Sequence, residues 1–145
     1  MKFEGSYIIN APRQKVWEFL IDPNAIAKCL PDLQRLDIEG PDKFSALVKV
    51  GVGFIKGDFK MRLQITEKQP PSHATMTITG SGASSSVDVL TTIDLTDKGP
   101  ATELKWAADV KVGGLMAGLG QRMMGSATEK TVSDMFECVK KQLEA

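Results

Sequence analysis

The chain has 145 residues, with 18 basic and 18 acidic side chains that leave no net charge. That length suits one domain, 1–145, with a substantial core. The charge balance argues against nucleic acid, whose phosphates demand a basic face, and against strong attraction to anionic lipid.

No apolar run approaches the roughly 18 residues of a membrane span, and the opening MKFEGSYIINAP does not read as a signal peptide. A cytoplasmic protein, peripheral to the membrane at most, is expected. Cys29 and Cys138 share no CxxC and no metal-ligand spacing. Buried, unpaired thiols are expected, since a reducing compartment does not sustain disulfides.

Residues 2–9 alternate, with Phe3, Tyr7 and Ile9 on one side, and read as a first strand. The segment from Asn10 to Asp22 then takes a helical period. Pro12 suits the first turn, where its missing N–H would be unpaired anyway, and Val16, Trp17 and Leu20 form the stripe. Asp22-Pro23 stops that helix. A second short helix is expected from Asn24 to Leu30, closed by Pro31.

From residue 33 the period becomes two. Phe44, Ala46, Val48 and Val50 form one row; Phe59, Met61, Leu63 and Ile65 form another, with Lys60, Arg62 and Gln64 opposite. Gly51 and Gly53 in VGVGFIKG suggest a bulge or bend. Met76 and Ile78, then Val87, Val89, Ile93 and Leu95, continue the pattern beyond the Pro70-Pro71 loop and the GSGASSS turn. After the turn signal Asp97-Lys98-Gly99-Pro100 comes the most regular alternation: Leu104, Trp106, Ala108, Val110 and Val112. Gly113 to Leu143 reads as one long helix.

Within that helix, Leu115, Met116, Leu119, Met123 and Ala127 form one apolar set. Val132, Met135, Phe136, Val139 and Leu143 form a second, centred on roughly the opposite side at about 100° per residue. Either the helix bends near Gly125 or its first half is surrounded. Gly118, Gly120 and Gly125 would each cost about 1 kcal/mol against Ala in a helix interior, so close packing or room for a ligand should offset them. Four of the seven Met residues lie here, which suits either an irregular core or an adaptable binding surface.

The expected order is β, two short helices, about six consecutive strands and one long helix, giving an α+β fold with an antiparallel sheet, one face dry. A twisted sheet curls, and a helix across it leaves a hollow unless large side chains fill it. Only 6% of residues are aromatic, and the dry face carries Ala46, Ala108 and several Met. Small residues also pack tightly, so a hollow is suggested rather than required.

Catalytic chemistry is hard to place. The one His, His73, sits beside Pro70-Pro71 and reads as a surface residue. No nucleophile lies in a recognised elbow, no His/Cys/carboxylate set has zinc spacing, and GSG at 80–82 precedes a strand, unlike a dinucleotide loop. Asp22 with Asp32, and Asp88 with Asp94, read as solvated faces. No catalytic residue, metal or cofactor is expected. Arg122 is the one cation in an apolar half-helix; it either snorkels to solvent or serves as a polar anchor at a cavity mouth.

Four stretches resemble the carbon monoxide dehydrogenase G-subunit family of the START-like (helix-grip) superfamily: APRQKVWEFLIDPNAIAKCLPDL, KVGVGFIKGDF, EKQPPSHATM and KVGGLMAGLGQRMMGSATEKTVSDMFECV. The resemblance implies a β-α-α-β6-α fold with a curved antiparallel sheet wrapped around the C-terminal helix. It also implies a non-enzymatic accessory or carrier protein for a carbon monoxide dehydrogenase-type molybdenum hydroxylase. The ligand would be an apolar small molecule, quinone- or lipid-like.

Ligand contacts are expected from Phe59, Met61, Leu63, Met76, Ile78, Val89, Trp106, Leu115, Met116, Leu119 and Met123, with Arg122 as polar anchor. The alternatives are a ligand-free interaction module that assembles or recruits that enzyme, and a START-like enzyme.

Overall fold

The computed structural model describes residues 1–30 and 32–144. β1 (Lys2–Ile9) leads into α1 (Arg13–Ile21), with Pro12 at the N-cap. Asp22 closes α1 and caps α2 (Pro23–Ala27), its carboxylate accepting from the Asn24 N–H at 3.0 Å. The expected stop of α2 at Pro31 lies outside the described residues.

Six strands follow: β2 (Leu33–Gly40), β3 (Lys43–Val52), β4 (Ile55–Gln69), β5 (His73–Gly82), β6 (Ser85–Lys98) and β7 (Ala101–Gly114). All neighbours pair antiparallel in the order β1-β7-β6-β5-β4-β3-β2. Short hairpins force that arrangement, and only β1 must reach across the sheet to the last strand.

Register aligns the apolar alternation of successive strands into rows on one face. One row runs Phe3, Ala108, Thr91, Met76, Ile65; the next runs Val110, Val89, Ile78, Leu63, Phe44. A shift between Ile65 and Glu67 breaks the β4–β5 ladder, the kind of irregularity that bends a strand and adds curvature.

Two expectations need correction. The VGVGFIKG stretch is a hairpin turn at Gly53-Phe54, with Gly53 at φ +58°, while Gly51 pairs regularly with Lys56. The last helix also begins later than the sequence period suggests. Residues up to Gly114 extend β7, Leu115–Leu119 form a 3-10 helix, and α3 runs Gly120–Glu144. Gly114 (φ +69°) and Gly120 (φ +82°) occupy the left-handed region that favours glycine and mark the two breaks. The opposed apolar sets therefore belong largely to two elements of different pitch, and the chain turns at Gly120 rather than Gly125.

The 3-10 helix is pinned to the β5–β6 hairpin. The Leu115 N–H donates to the Ser84 carbonyl at 3.0 Å and the Met116 N–H to the buried Ser85 hydroxyl at 2.9 Å. The far end of α3 is tied to the start of α1: Lys15 donates to the Leu143 carbonyl at 3.2 Å, and the Asn10 N–H to the Glu144 carboxylate at 3.2 Å.

The cysteines also differ from expectation. Cys29, just beyond α2, and Cys138, in α3, form a disulfide between Cα atoms 5.5 Å apart and 109 residues apart in sequence. Spacing along the chain carries no trace of this proximity, which arises only when α3 folds back over the sheet.

Candidate ligand hollow between sheet and helix

The apolar interior divides in two. At one end Ile9, Val16, Trp17, Leu20, Leu95, Leu104, Val139 and Leu143 form a closed core where α1 meets the end of α3. At the other end Phe44, Ala46, Val48, Ile55, Phe59, Met116, Leu119 and Met124 form a second. Between them lie inward-facing residues of the middle strands: Ile78, Val89, Thr91 and Ala108, all partly exposed. The inward face of a middle strand should be the most buried part of a covered sheet, so this partial exposure marks incomplete covering by α3.

The path of α3 explains it. On one side the helix meets the edge strand β1. Phe136 stacks on Tyr7 with ring centroids 4.5 Å apart, and Phe3 packs beside Gly125, where a Cβ would lie 3.8 Å from its ring at ordinary contact distance. On the other side the Cys29–Cys138 bond joins α3 to the chain leading into the opposite edge strand, β2. The helix thus bridges the two rims of a curled sheet above its centre. Ile26 packs against both cores, while Leu30 and Leu33 pack against the second, so the α2–β2 connection closes the β2 rim.

The expected contact residues fall into three groups. Phe59, Met116 and Leu119 are buried in the second core, with Met61 and Leu63 against it. Met76, Ile78, Val89 and Trp106 lie on the inward face nearer the middle; Met76 is buried and the others are partly exposed. Leu115 and Met123 lie at the outer tip, 54% and 43% exposed, and Arg122 beside them is exposed with no ion pair among the described residues. Phe3, Thr91, Ala108 and Ile26 also border this region and are not among the expected contacts, although Ala108 is expected on the dry face. Strand register would have added the first three as neighbours of Met76 on one row.

Trp106 has a distinctive environment. Its indole lies over Gly5 on β1, where a Cβ would come within 2.9 Å of Nε1. Its N–H is the one buried side-chain polar atom without a partner among the described residues. An unpaired buried donor costs about 1–3 kcal/mol, so this residue is held by packing at the expense of its hydrogen bond.

A small apolar gap of about 10 Å³ lies beside Trp17, Ile65, Ala74, Met76 and Ile93. It is the size of one water and far below the roughly 300 Å³ of a drug-sized ligand site. A larger depression of about 350 Å³ is lined by Ser45, Ala46 and Leu47 and by the charged Arg35, Asp37, Glu39 and Lys60, a wall unlike that of a closed apolar site. It lies on the outer sheet face, since Ser45 and Leu47 alternate with the inward Phe44, Ala46 and Val48.

His73 is better placed than its loop context implied. Its Nδ1 lies 2.7 Å from Asp94 Oδ1 and its Nε2 3.3 Å from the Thr75 hydroxyl. An Asp–His–hydroxyl series suggests acyl transfer, but it lies on the open outer face, since the adjacent Ala74 is buried inward. Neighbouring backbone N–H groups are engaged in the β4–β5–β6 ladders, so no free pair is aimed at an oxyanion.

A curved antiparallel sheet closed by a long C-terminal helix, with two short helices after the first strand, defines the START-like helix-grip class. A START superfamily protein from Mycobacterium smegmatis shares this fold at TM-score 0.78 and 12% identity, over 99% of this chain and 97% of that one. The chain matches the family of the carbon monoxide dehydrogenase G subunit (CoxG) over residues 5–144 and belongs to it. A conserved protein from Geobacillus kaustophilus is similar at 30% identity and TM-score 0.93, over 99% of this chain and 95% of that one. A Thermus thermophilus protein matches in fold at 11% identity and TM-score 0.72, over 99% and 97% of the two chains. No match is found among curated proteins.

Proposed function

We propose that this protein is a non-enzymatic carrier or accessory protein that takes an apolar small molecule, quinone- or lipid-like, between the sheet and α3. It would serve a carbon monoxide dehydrogenase-type molybdenum hydroxylase in the cytoplasm. The observation that carries this reading is the partly exposed apolar band, Ile78, Val89 and Ala108, between two closed cores. Family membership supports the choice of enzyme.

A ligand burying about 300 Å² of apolar surface gains about 7.5 kcal/mol at about 25 cal/mol per Å², before association costs. The gap beside Met76 holds about one water, so binding requires displacement of the cover. Met76, Met116, Met123 and Met124 suit that demand, because thioether side chains repack readily. The test is affinity for a short-chain quinone and a fatty acid. Trp106→Ala and Met123→Asp should each weaken it, and unchanged affinity in both would refute this placement.

The tip supports a route of loading. Phe54, Leu115 and Met123 are exposed together where the β3–β4 hairpin meets the 3-10 helix: the Phe54 ring lies 3.9 Å from a Cβ position at Gly118, and Met123 covers Gly53. Lys56 and Arg122 flank them, exposed and outside any ion pair among the described residues. An apolar tip ringed by cations fits transient contact with an anionic lipid surface.

A ligand-free interaction module is the second reading, favoured by the same exposed tip. Pull-down of the hydroxylase by protein with a blocked hollow would select it.

A further inference from the structure

Resting on the reading of a ligand hollow, we propose that the Cys29–Cys138 disulfide is a reversible clasp on that hollow, and that its reduction by a thiol opens the β2 rim for ligand exchange. The geometry is specific to that rim. α2 has only five residues and packs on α1 and β2. Ile26 of α2 and, beyond it, Leu30 and Leu33 pack on the interior, and Cys29 between them reaches α3 at Cys138.

Polar ties between this cover and α3 are few among the described residues. Among the described residues no ion pair joins them. The Lys28 carbonyl oxygen approaches the Cys138 sulfur at 3.8 Å, but a disulfide sulfur has no proton to donate. Asp32 faces Lys130 and helps raise its pKa, after the larger effect of Asp134, which takes the lysine's hydrogen bond at 2.8 Å. The disulfide is therefore the covalent link on this side, added to the apolar packing of Ile26 and Leu30 on the interior. The opposite side of α3 is held without it, by the Tyr7–Phe136 stack and by Lys15 and Asn10 at the helix end.

Removal of the bond would leave the sheet and α3 intact and free the cover to lift from α3 between its two anchors, Asp22 at the start of α2 and Asp32, whose carbonyl accepts from the Lys49 N–H at 3.1 Å. This bond is also positioned for exchange. Cys29 is buried at 6% exposure, whereas Cys138 is partly exposed and offers the sulfur to attack. A small thiolate attacks Cys138, the S–S bond breaks, and Cys29 leaves as a thiolate that takes up a proton. A second small thiolate attacks the mixed disulfide on its outer sulfur. Cys138 leaves as a thiolate that is likewise protonated, and the small disulfide departs. The protein gains two electrons and two protons from two small thiols. Where thiols are buffered in the reduced state, a bond like this is regulatory rather than permanent.

The experiment compares the oxidised protein, the same protein in dithiothreitol, and the Cys29→Ser/Cys138→Ser variant. Uptake of N-phenyl-1-naphthylamine is followed by stopped-flow fluorescence, and amide exchange by mass spectrometry. Reduction should raise the uptake rate at least tenfold, the variant should match the reduced protein, and dithiothreitol should leave the variant unchanged.

Exchange should rise in residues 22–33 well beyond the uniform increase that loss of the cross-link gives β5, β6 and the C-terminal half of α3. Faster exchange at 22–33 with no probe uptake in any state would support the clasp and overturn the hollow. Equal exchange at 22–33 in the oxidised and reduced protein would overturn the clasp. An equal rise throughout the chain on reduction, with no excess at 22–33, would also overturn it, by showing the bond to be a structural staple.

Discussion

Two alanines on the same face of the sheet provide a direct test of where the interior is full. Ala46 on β3 is 3% exposed within the second core, opposite Met61 and Leu36. Ala108 on β7 faces the same side, between Phe3 and Thr91, and is partly exposed in the proposed hollow. Substitution by Leu adds three carbon atoms at either site. At about 0.8 kcal/mol per buried methylene the gross gain is about 2.4 kcal/mol, reduced by about 0.5–1 kcal/mol of lost rotamer freedom.

Ala108→Leu should therefore stabilise by about 1–2 kcal/mol if space is present. Ala46→Leu should destabilise by about 1–3 kcal/mol, because a packed core must deform to admit it. Urea unfolding followed by circular dichroism reads both, as midpoint shifts of opposite sign; with a slope of about 1–3 kcal/mol per M the two midpoints should stand about 1 M or more apart. Ala108→Leu should also reduce uptake of an apolar ligand. Equal destabilisation by both substitutions would show that the centre is packed and refute the argument for a hollow.

Other substitutions probe separate parts of the account. Leu104→Ala, at a fully buried site, should cost about 2–5 kcal/mol in urea unfolding, whereas Leu90→Ala, 52% exposed, should stay within about 0.5 kcal/mol. Gly82→Ala should destabilise sharply, because φ there is +150° and a Cβ would collide with the Asp58 carbonyl oxygen; a wild-type melting temperature would contradict this backbone. The Cys29→Ser/Cys138→Ser variant should lose about 2–4 kcal/mol while keeping its far-ultraviolet spectrum, since the bond spans 109 residues but lies outside the sheet. Phe54→Asp with Leu115→Asp should abolish flotation with anionic vesicles at unchanged stability, and retained flotation would dismiss the tip as a lipid contact.

The sheet was legible because its alternation is regular: Leu104 to Val112 and Phe59 to Ile65 report their inward face residue by residue. The start of the last helix was not. Met116 and Leu119 are three apart, a spacing that a 3-10 turn shares with an α-helix, and only the dihedral angles of Gly114 and Gly120 separate the elements. Phe59 and Trp106 were legible as inward residues, but periodicity cannot say that one sits in a closed core and the other beside a gap. That distinction depends on how α3 spans the two rims. The Cys29–Cys138 pair was hidden for the same reason, because a contact between residues 109 apart has no local signature.

The most direct measurement is native mass spectrometry of the protein purified from its own host, with solvent extraction of whatever accompanies it. The account predicts a stoichiometric apolar molecule, released on unfolding and identified as a quinone or lipid. A clean apo mass, with no uptake of added quinone or fatty acid by oxidised or reduced protein, would contradict it.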